Sequence, residues 1–408
     1  MKIVDYLPPM LTGDELDNAL MVLPQYSADI REKDASERLL ALNDFYEIYR
    51  PTKMSTEIYT KLYLALHRSL ERKDTQDAVI QANNNFRQRL GMTSSSVIGG
   101  SDCFTIFGNA GIGKSRTISE VLKVIAGDNF IQVEKPYRKV IPVIMVQTPF
   151  DSSVKSLLLE ILKETDRNLN TNYYDYAVRS KSTIDVLIMT VSQIALEHIG
   201  MIVVDEIQNC IKAKQGRNLV GCLTQLINNS GIAIVMVGTP DCVDFFESEM
   251  FLARRAVGLR YGSLEYDDQF KEMCELLFSY CYVKQDAELT EDLCYWLWDK
   301  TQGNISVLIG IIVGAQETAI LNGLERLDYE TLTEAYNTRM ETMHIFLKPA
   351  KIKMPTGRKE KVRLPDTSSD CRNDNEYTFS EWITYATKAS EDPLQVLRQN
   401  NVVEELAL

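Results

Sequence analysis

The sequence predicts an α/β fold: a parallel sheet with helices on both faces, a helical N-terminal module before it and a small all-α lid after it. Three observations carry this. From Cys103 to about Tyr266, short apolar runs of strand length alternate with helical stretches. A glycine-rich loop, Gly108 to Ser115, lies between a strand-like run and a helix-like one. The first hundred residues, and again Gln269 to about His344, space their apolar side chains at helical intervals. Strands separated by helices imply βαβ units, and a parallel sheet needs cover on both faces.

The 408 residues are too many for one ordinary domain and suggest two or three. Hydrophobic residues at 45% and charged residues at 25% are the balance of a chain with a real core, which excludes a mostly disordered or collagen-like protein. Apolar runs such as Val143 to Val146 and Met201 to Val204 are strand-sized, so no transmembrane helix and no membrane association are expected. The N-terminus has no apolar core of a signal peptide. Eight scattered cysteines without a CxxC pair argue against a zinc site or a disulfide framework, and the default is a reduced, cytoplasmic protein. Net charge is −13, an average that speaks against nucleic-acid binding unless a local patch provides it. Lys348 to Arg363 carries seven positive charges against one negative, and reads either as a solvated linker or as a binding arm.

Four segments follow. Residues 1–92 form the helical module, as in SADIREKDASERLLALNDFYEIYR and STEIYTKLYLALHRSL, and are assigned to partner contact. The Ser/Gly-rich stretch Thr93 to Asp102 opens the second segment, 93–268, whose strands are CFTIFG, VIPVIMVQTP, MIVVDEI, GIAIVMVGTP and VGLRYGSLEY. Residues 269–346 are the lid, with TQGNISVLIGIIVGAQETAIL as its most apolar helix, and 347–408 are a basic and then polar tail.

Gly108-Asn109-Ala110-Gly111-Ile112-Gly113-Lys114-Ser115 matches GxxxxGK[ST] at every position, between the strand CFTIF and the helix RTISEVLKVIA. Glycines let backbone N–H groups curl around phosphate oxygens, and the helix N-terminus adds its positive end. Lys114 is placed to reach the β- and γ-phosphates of ATP and Ser115 to ligate Mg²⁺, with Arg116 as the next residue of the nucleotide site. About ninety residues on, the strand Met201 to Val204 ends in Asp205-Glu206, at the carboxyl edge of the sheet where ligands bind. Asp205 is expected to hold Mg²⁺, and Glu206 to polarise the attacking water, which favours a hydrolysing enzyme over a small-molecule kinase. Gly238-Thr239-Pro240 follows another strand; Thr239 either positions the water or merely belongs to a turn. Arg254-Arg255 closes a helix-like stretch, either as a favourable helix C-terminus or as an arginine finger for a neighbouring subunit.

With these four elements in order, the chain resembles the AAA+ ATPases, and more narrowly the TnsC-type regulators of DNA transposition, kin of TniB and MuB. The segments FGNAGIGKS, MIVVDEIQ and IAIVMVGTPDCVDFFESEMFLARRAVG carry the resemblance, with VIPVIMVQTPFDSSVKSLLLEIL more loosely. It covers about Cys103 to Tyr266, extends into the lid, and fades at both ends. It implies the AAA+ P-loop sheet, and ATP-bound subunits assembled as a homo-oligomeric ring or helical filament around double-stranded DNA, linking a target-selection protein to the transposase. One departure is plain: Gly303-Asn304-Ile305-Ser306 lacks the sensor arginine that many such lids carry. The family position for DNA contact falls on Ser152-Ser153-Val154-Lys155, where Lys155 opens a helix; Lys212 and Lys214, after Glu206, form a second basic candidate. Two other readings stay open: a helicase-loader or origin-type ATPase, for which the tail after Arg363 is short and polar, and a STAND-like signalling ATPase that binds protein partners.

Overall fold

Six strands line up in the order β2-β3-β4-β5-β1-β6 in the computed structural model, which describes residues 2–89, 92, 97–98, 102–127, 130–134, 137–149, 153–209, 216–243, 246 and 258–340. They are β1 (Cys103–Gly108), β2 (Ile131–Glu134), β3 (Tyr137–Gln147), β4 (Ile199–Asp205), β5 (Ala233–Gly238) and β6 (Leu259–Tyr261). Every pairing is parallel except β2 with β3. The antiparallel β2 is absent from the strands expected from sequence. Its four residues, IQVE, alternate buried and exposed, the weak signal of an edge strand covered on one side only. VGLRYGSLEY contributes only its Leu259–Tyr261 portion as strand.

The helices are α1 (Gly13–Leu20), α2 (Ala35–Ala41), α3 (Lys53–Lys73), α4 (Gln76–Arg89), α5 (Lys114–Ala126), α6 (Val154–Leu169), α7 (Tyr173–Arg179), α8 (Ile184–His198), α9 (Gly216–Ser230), α10 (Asp268–Ser279), α11 (Glu291–Thr301), α12 (Ile305–Leu321) and α13 (Tyr329–Ala335). Alternation along the strands sorts the core into two layers. On one face Met201, Val203, Ala233 and Val235 pack with α3 and α5. On the other, Ile202, Val204, Ile234 and Met236 pack with α6, α8 and α9. The sheet is therefore covered on both faces, as a strand buried at all seven positions of β4 requires.

Residues 2–89 divide their apolar side chains between two cores. Ile58, Leu62 and Leu66 of α3 join the sheet, whereas Leu42, Phe45 and Ile48 join the lid helices. Arg38 on α2 adds a polar tie, donating to Glu325 Oε1 at 2.8 Å and Oε2 at 2.6 Å in the turn after α12. α12 is the most apolar lid helix, with Leu308, Ile311, Ile312 and Ala315 fully buried. Among the described residues no single helix is long and apolar enough to cross a membrane. The described residues, which end at 340, fall within one compact unit. The basic run Lys348 to Arg363 and the polar tail lie outside the described residues.

Candidate nucleotide site

The carboxyl ends of β1, β4 and β5 meet at one cavity of about 470 Å³, within the size range of small-molecule sites. β1 delivers the glycine-rich loop. Gly111 at φ 79° and Gly113 at φ 92° adopt the left-handed backbone that lets the loop turn back on itself, and α5 starts directly at Lys114. Backbone N–H groups at this helix start are free of intrahelical partners, the arrangement that receives phosphate. Lys114 Nζ donates to the Gly108 and Asn109 carbonyls, each at 2.7 Å. Burial pushes its ammonium below the ordinary lysine value, while Asp205 and Glu206 pull the other way.

Ser115 Oγ donates to Asp205 Oδ2 at 2.7 Å, so the loop and the β4 tip meet where the sequence pairs them. The rest of Asp205 is fixed as well. Its Oδ1 accepts from the Glu206 N–H at 2.8 Å, and its carbonyl accepts from the Thr148 N–H and hydroxyl, both at 2.9 Å. Glu206 has φ 57° and lines the cavity with Thr239, whose buried hydroxyl oxygen has no hydrogen-bond partner among the described residues. A serine hydroxyl beside a carboxylate is a hard-oxygen donor set suited to Mg²⁺, and a half-buried lysine at a helix start suits polyphosphate. The residues present therefore fit ATP with Mg²⁺.

Asn109 heads the loop, while Ala110 and Ile112 line the cavity with the glycines. Arg116 also lines it, with its guanidinium held by Glu120 at 3.0 Å and the Glu47 carbonyl at 3.1 Å. Lys155 sits in the first turn of α6 beside the Ser153 cap, outside the cavity. Lys212, Lys214, Arg254 and Arg255 lie outside the described residues.

Three contributions to the site went unassigned in the sequence. The N-terminal segment supplies Ile48 and Met54, and the lid supplies Met273, Leu277, Ile305 and Ile309, as apolar lining of the same cavity. Asn304, at the N-cap of α12, donates to the Ala110 carbonyl at 2.8 Å. Gln208 bridges Glu206 and Thr239. The DEIQ run contains Gln208, so position was legible there even though role was not.

Residues 76–260 match the family model for bacterial TniB protein. A comparison with curated proteins finds no match. Among solved structures, the chain is similar to the Aeropyrum pernix ORC1 protein in complex with DNA, at 16% identity over 64% of each chain and a TM-score of 0.41. It thus spans about two thirds of that protein, at 64%. It is also similar to the Drosophila ORC bound to DNA, at 11% identity over 100% of this chain and 86% of that one, with a TM-score of 0.44. Cdc6p from Pyrobaculum aerophilum gives 15% identity, 65% and 67% coverage, and a TM-score of 0.40. The family match starts on α4, takes in the glycine-rich loop and the Asp205-Glu206 edge, and reaches β6, so over that span the chain is similar to bacterial TniB protein.

Proposed function

We propose that the protein is a cytoplasmic ATP hydrolase acting as a molecular switch in DNA transposition. It assembles on double-stranded DNA as a homo-oligomer and links a target-selection protein to the transposase. The observation that carries this is the Ser115–Asp205 contact at 2.7 Å beside Glu206, within a segment that matches bacterial TniB protein. Such a pairing of loop serine, strand-end aspartate and adjacent glutamate serves hydrolysis of a polyphosphate.

The phosphates of ATP take the N–H groups at the start of α5, with Lys114 neutralising charge on the β- and γ-oxygens. Ser115 and Asp205 hold Mg²⁺, which when bound shields the phosphate charge. The nucleobase end takes the apolar wall of Ile48, Met54, Met273, Leu277, Ile305 and Ile309. Glu206 receives the proton of the attacking water as its oxygen bonds to the γ-phosphorus and the bond to the ADP oxygen breaks. Thr239, whose buried hydroxyl has no partner among the described residues, follows the neighbouring strand β5 and lines the same cavity as Glu206. Arg254 and Arg255 complete the site of a neighbouring subunit. DNA contact falls to Lys155, Lys212 and Lys214, local positive charge on a chain whose total is −13. Hydrolysis then drives disassembly and does no chemistry on DNA.

Filter binding of random-sequence duplex DNA tests this, without nucleotide, with ATP, and with a non-hydrolysable analogue. Retention that needs nucleotide and is independent of sequence is expected, and Lys114→Ala should abolish it. A protein that hydrolyses ATP yet retains no duplex under any condition belongs with signalling ATPases that bind protein partners, and the DNA reading falls.

A further inference from the structure

We propose that Gln208 is a positioning residue for hydrolysis, holding the Glu206 carboxylate to the tip of β5; this rests on the ATPase reading above. Gln208 lies just beyond β4, is only 9% exposed, and lines the same cavity as Glu206 and Thr239. Both ends of its amide are engaged. Nε2 donates to Glu206 Oε2, and Oε1 accepts from the Thr239 backbone N–H at 3.3 Å. One orientation of the amide alone satisfies both bonds, because an ionised carboxylate only accepts and a backbone N–H only donates.

The surrounding backbone is shaped to allow this bridge. Glu206 occupies the left-handed region at φ 57°, a strained conformation for a residue with a side chain. The chain then rejoins the sheet, with the Ile207 N–H donating to the Val237 carbonyl at 3.0 Å. Gly238 leaves room for the amide: a Cβ there would stand 3.0 Å from Gln208 Oε1 and 2.7 Å from Ile207 Cγ2. A side chain at Gly238 would therefore crowd the glutamine in the position it holds. A base whose carboxylate is already oriented need not lose rotamer freedom on the way to the transition state. Gln208 touches no reacting atom; it acts through Glu206, and it fixes the spacing of Glu206 and Thr239 by bonding to both.

The test uses the full chain and four variants: Gln208→Met, which keeps the side chain's size and loses its polar ends, Gln208→Ala, and each of these combined with Glu206→Gln. Steady-state turnover, single-turnover hydrolysis and nucleotide affinity are measured for all. The single variants should lower kcat about tenfold or more while nucleotide affinity stays within about twofold. In the Glu206→Gln background neither substitution should slow single-turnover hydrolysis further, because a residue that acts only through Glu206 has nothing left to position. Unchanged kcat in both single variants, or an equal further loss in the Glu206→Gln background, overturns the positioning role. Wild-type protein that hydrolyses no ATP overturns the ATPase reading and this proposal with it, an outcome distinct from the other two.

Discussion

The Asn304 side chain donates to the Ala110 carbonyl at 2.8 Å, so the first residue before the lid helix α12 is bonded to the phosphate loop itself. The Ser306 N–H adds a second link, to the Gly111 carbonyl at 3.0 Å. The lid therefore both bonds to the glycine-rich loop and lines the cavity directly through Met273, Leu277, Ile305 and Ile309. Asn304 also caps its own helix, accepting from the Val307 N–H at 3.3 Å.

Asn304→Ala should therefore weaken ATP binding roughly fivefold, the effect of one hydrogen bond worth about 1 kcal/mol. Titration calorimetry with a non-hydrolysable analogue measures it. Gly111→Ala should do more, since its Cβ meets Asn304 Oδ1 at 2.6 Å and its φ of 79° disfavours any side chain. Combining the two should recover part of the affinity, because only the collision is relieved. Additive effects would show that the lid does not press on the loop.

Glu206→Gln should bind ATP and duplex DNA and turn over slowly, since the amide keeps the shape and loses the proton acceptor. Its assemblies on DNA should outlast those of wild type in a dissociation assay. Turnover equal to wild type would remove Glu206 from the chemistry.

The motifs of the site were legible because each is local: the loop is eight consecutive residues, and Asp205-Glu206 ends one apolar strand. Parallel pairing then brings them together, with Ser115 meeting Asp205 across 90 positions. What was not legible depends on tertiary packing. Ile48 and Met54 reach the cavity only because Phe45 anchors in the lid core and Ile58 in the sheet core, and no periodicity in the sequence encodes that division. β2 escaped notice for a related reason: four residues with one buried face carry too little apolar signal to stand out.

Arg38 and Glu325 supply a stability prediction with a defined pH sign. The guanidinium bonded to Glu325 holds its carboxyl below the usual glutamate value. A depressed carboxyl stabilises the fold in full above the unfolded value of about 4.3, and the contribution fades as pH falls through the lower folded value. Arg38 is 3% exposed, so Arg38→Met should cost about 1–3 kcal/mol at pH 7. The gap in melting temperature between wild type and Glu325→Gln should be full above about pH 5 and close on further acidification. A gap that does not change with pH would show that the pair contributes shape and not charge.

Lys155→Ala and Lys212→Ala/Lys214→Ala should weaken duplex binding uniformly across sequences. For every lysine–phosphate pair that a substitution removes, the log–log salt dependence should flatten by roughly one. Unchanged slopes in both variants would move the DNA-binding charge to the Lys348 to Arg363 run.

The last prediction concerns where the arginine for hydrolysis comes from. Lys114 and Mg²⁺ leave the charge on the transferring phosphoryl group incompletely neutralised, and a well-placed arginine is worth about 10³–10⁵ in rate. Among the described residues two arginines line the cavity, and both are engaged in their own chain: Arg50 with Glu272, and Arg116 with Glu120 and the Glu47 carbonyl. Arg254 and Arg255, which precede β6 in sequence, are the pair proposed to serve a neighbour's nucleotide. Hydrolysis should then rise with assembly, and so with added duplex DNA. A Lys114→Ala chain keeps its arginines and lacks a working loop; an Arg254→Ala/Arg255→Ala chain has the reverse. Mixed, they should form junctions in which the first chain's arginines serve the second chain's site, and turnover should exceed the sum of the two alone. If co-assembly is verified by crosslinking and turnover still only sums, the arginines do not act across subunits, and the helix-dipole reading of the pair in the sequence is the one that stands.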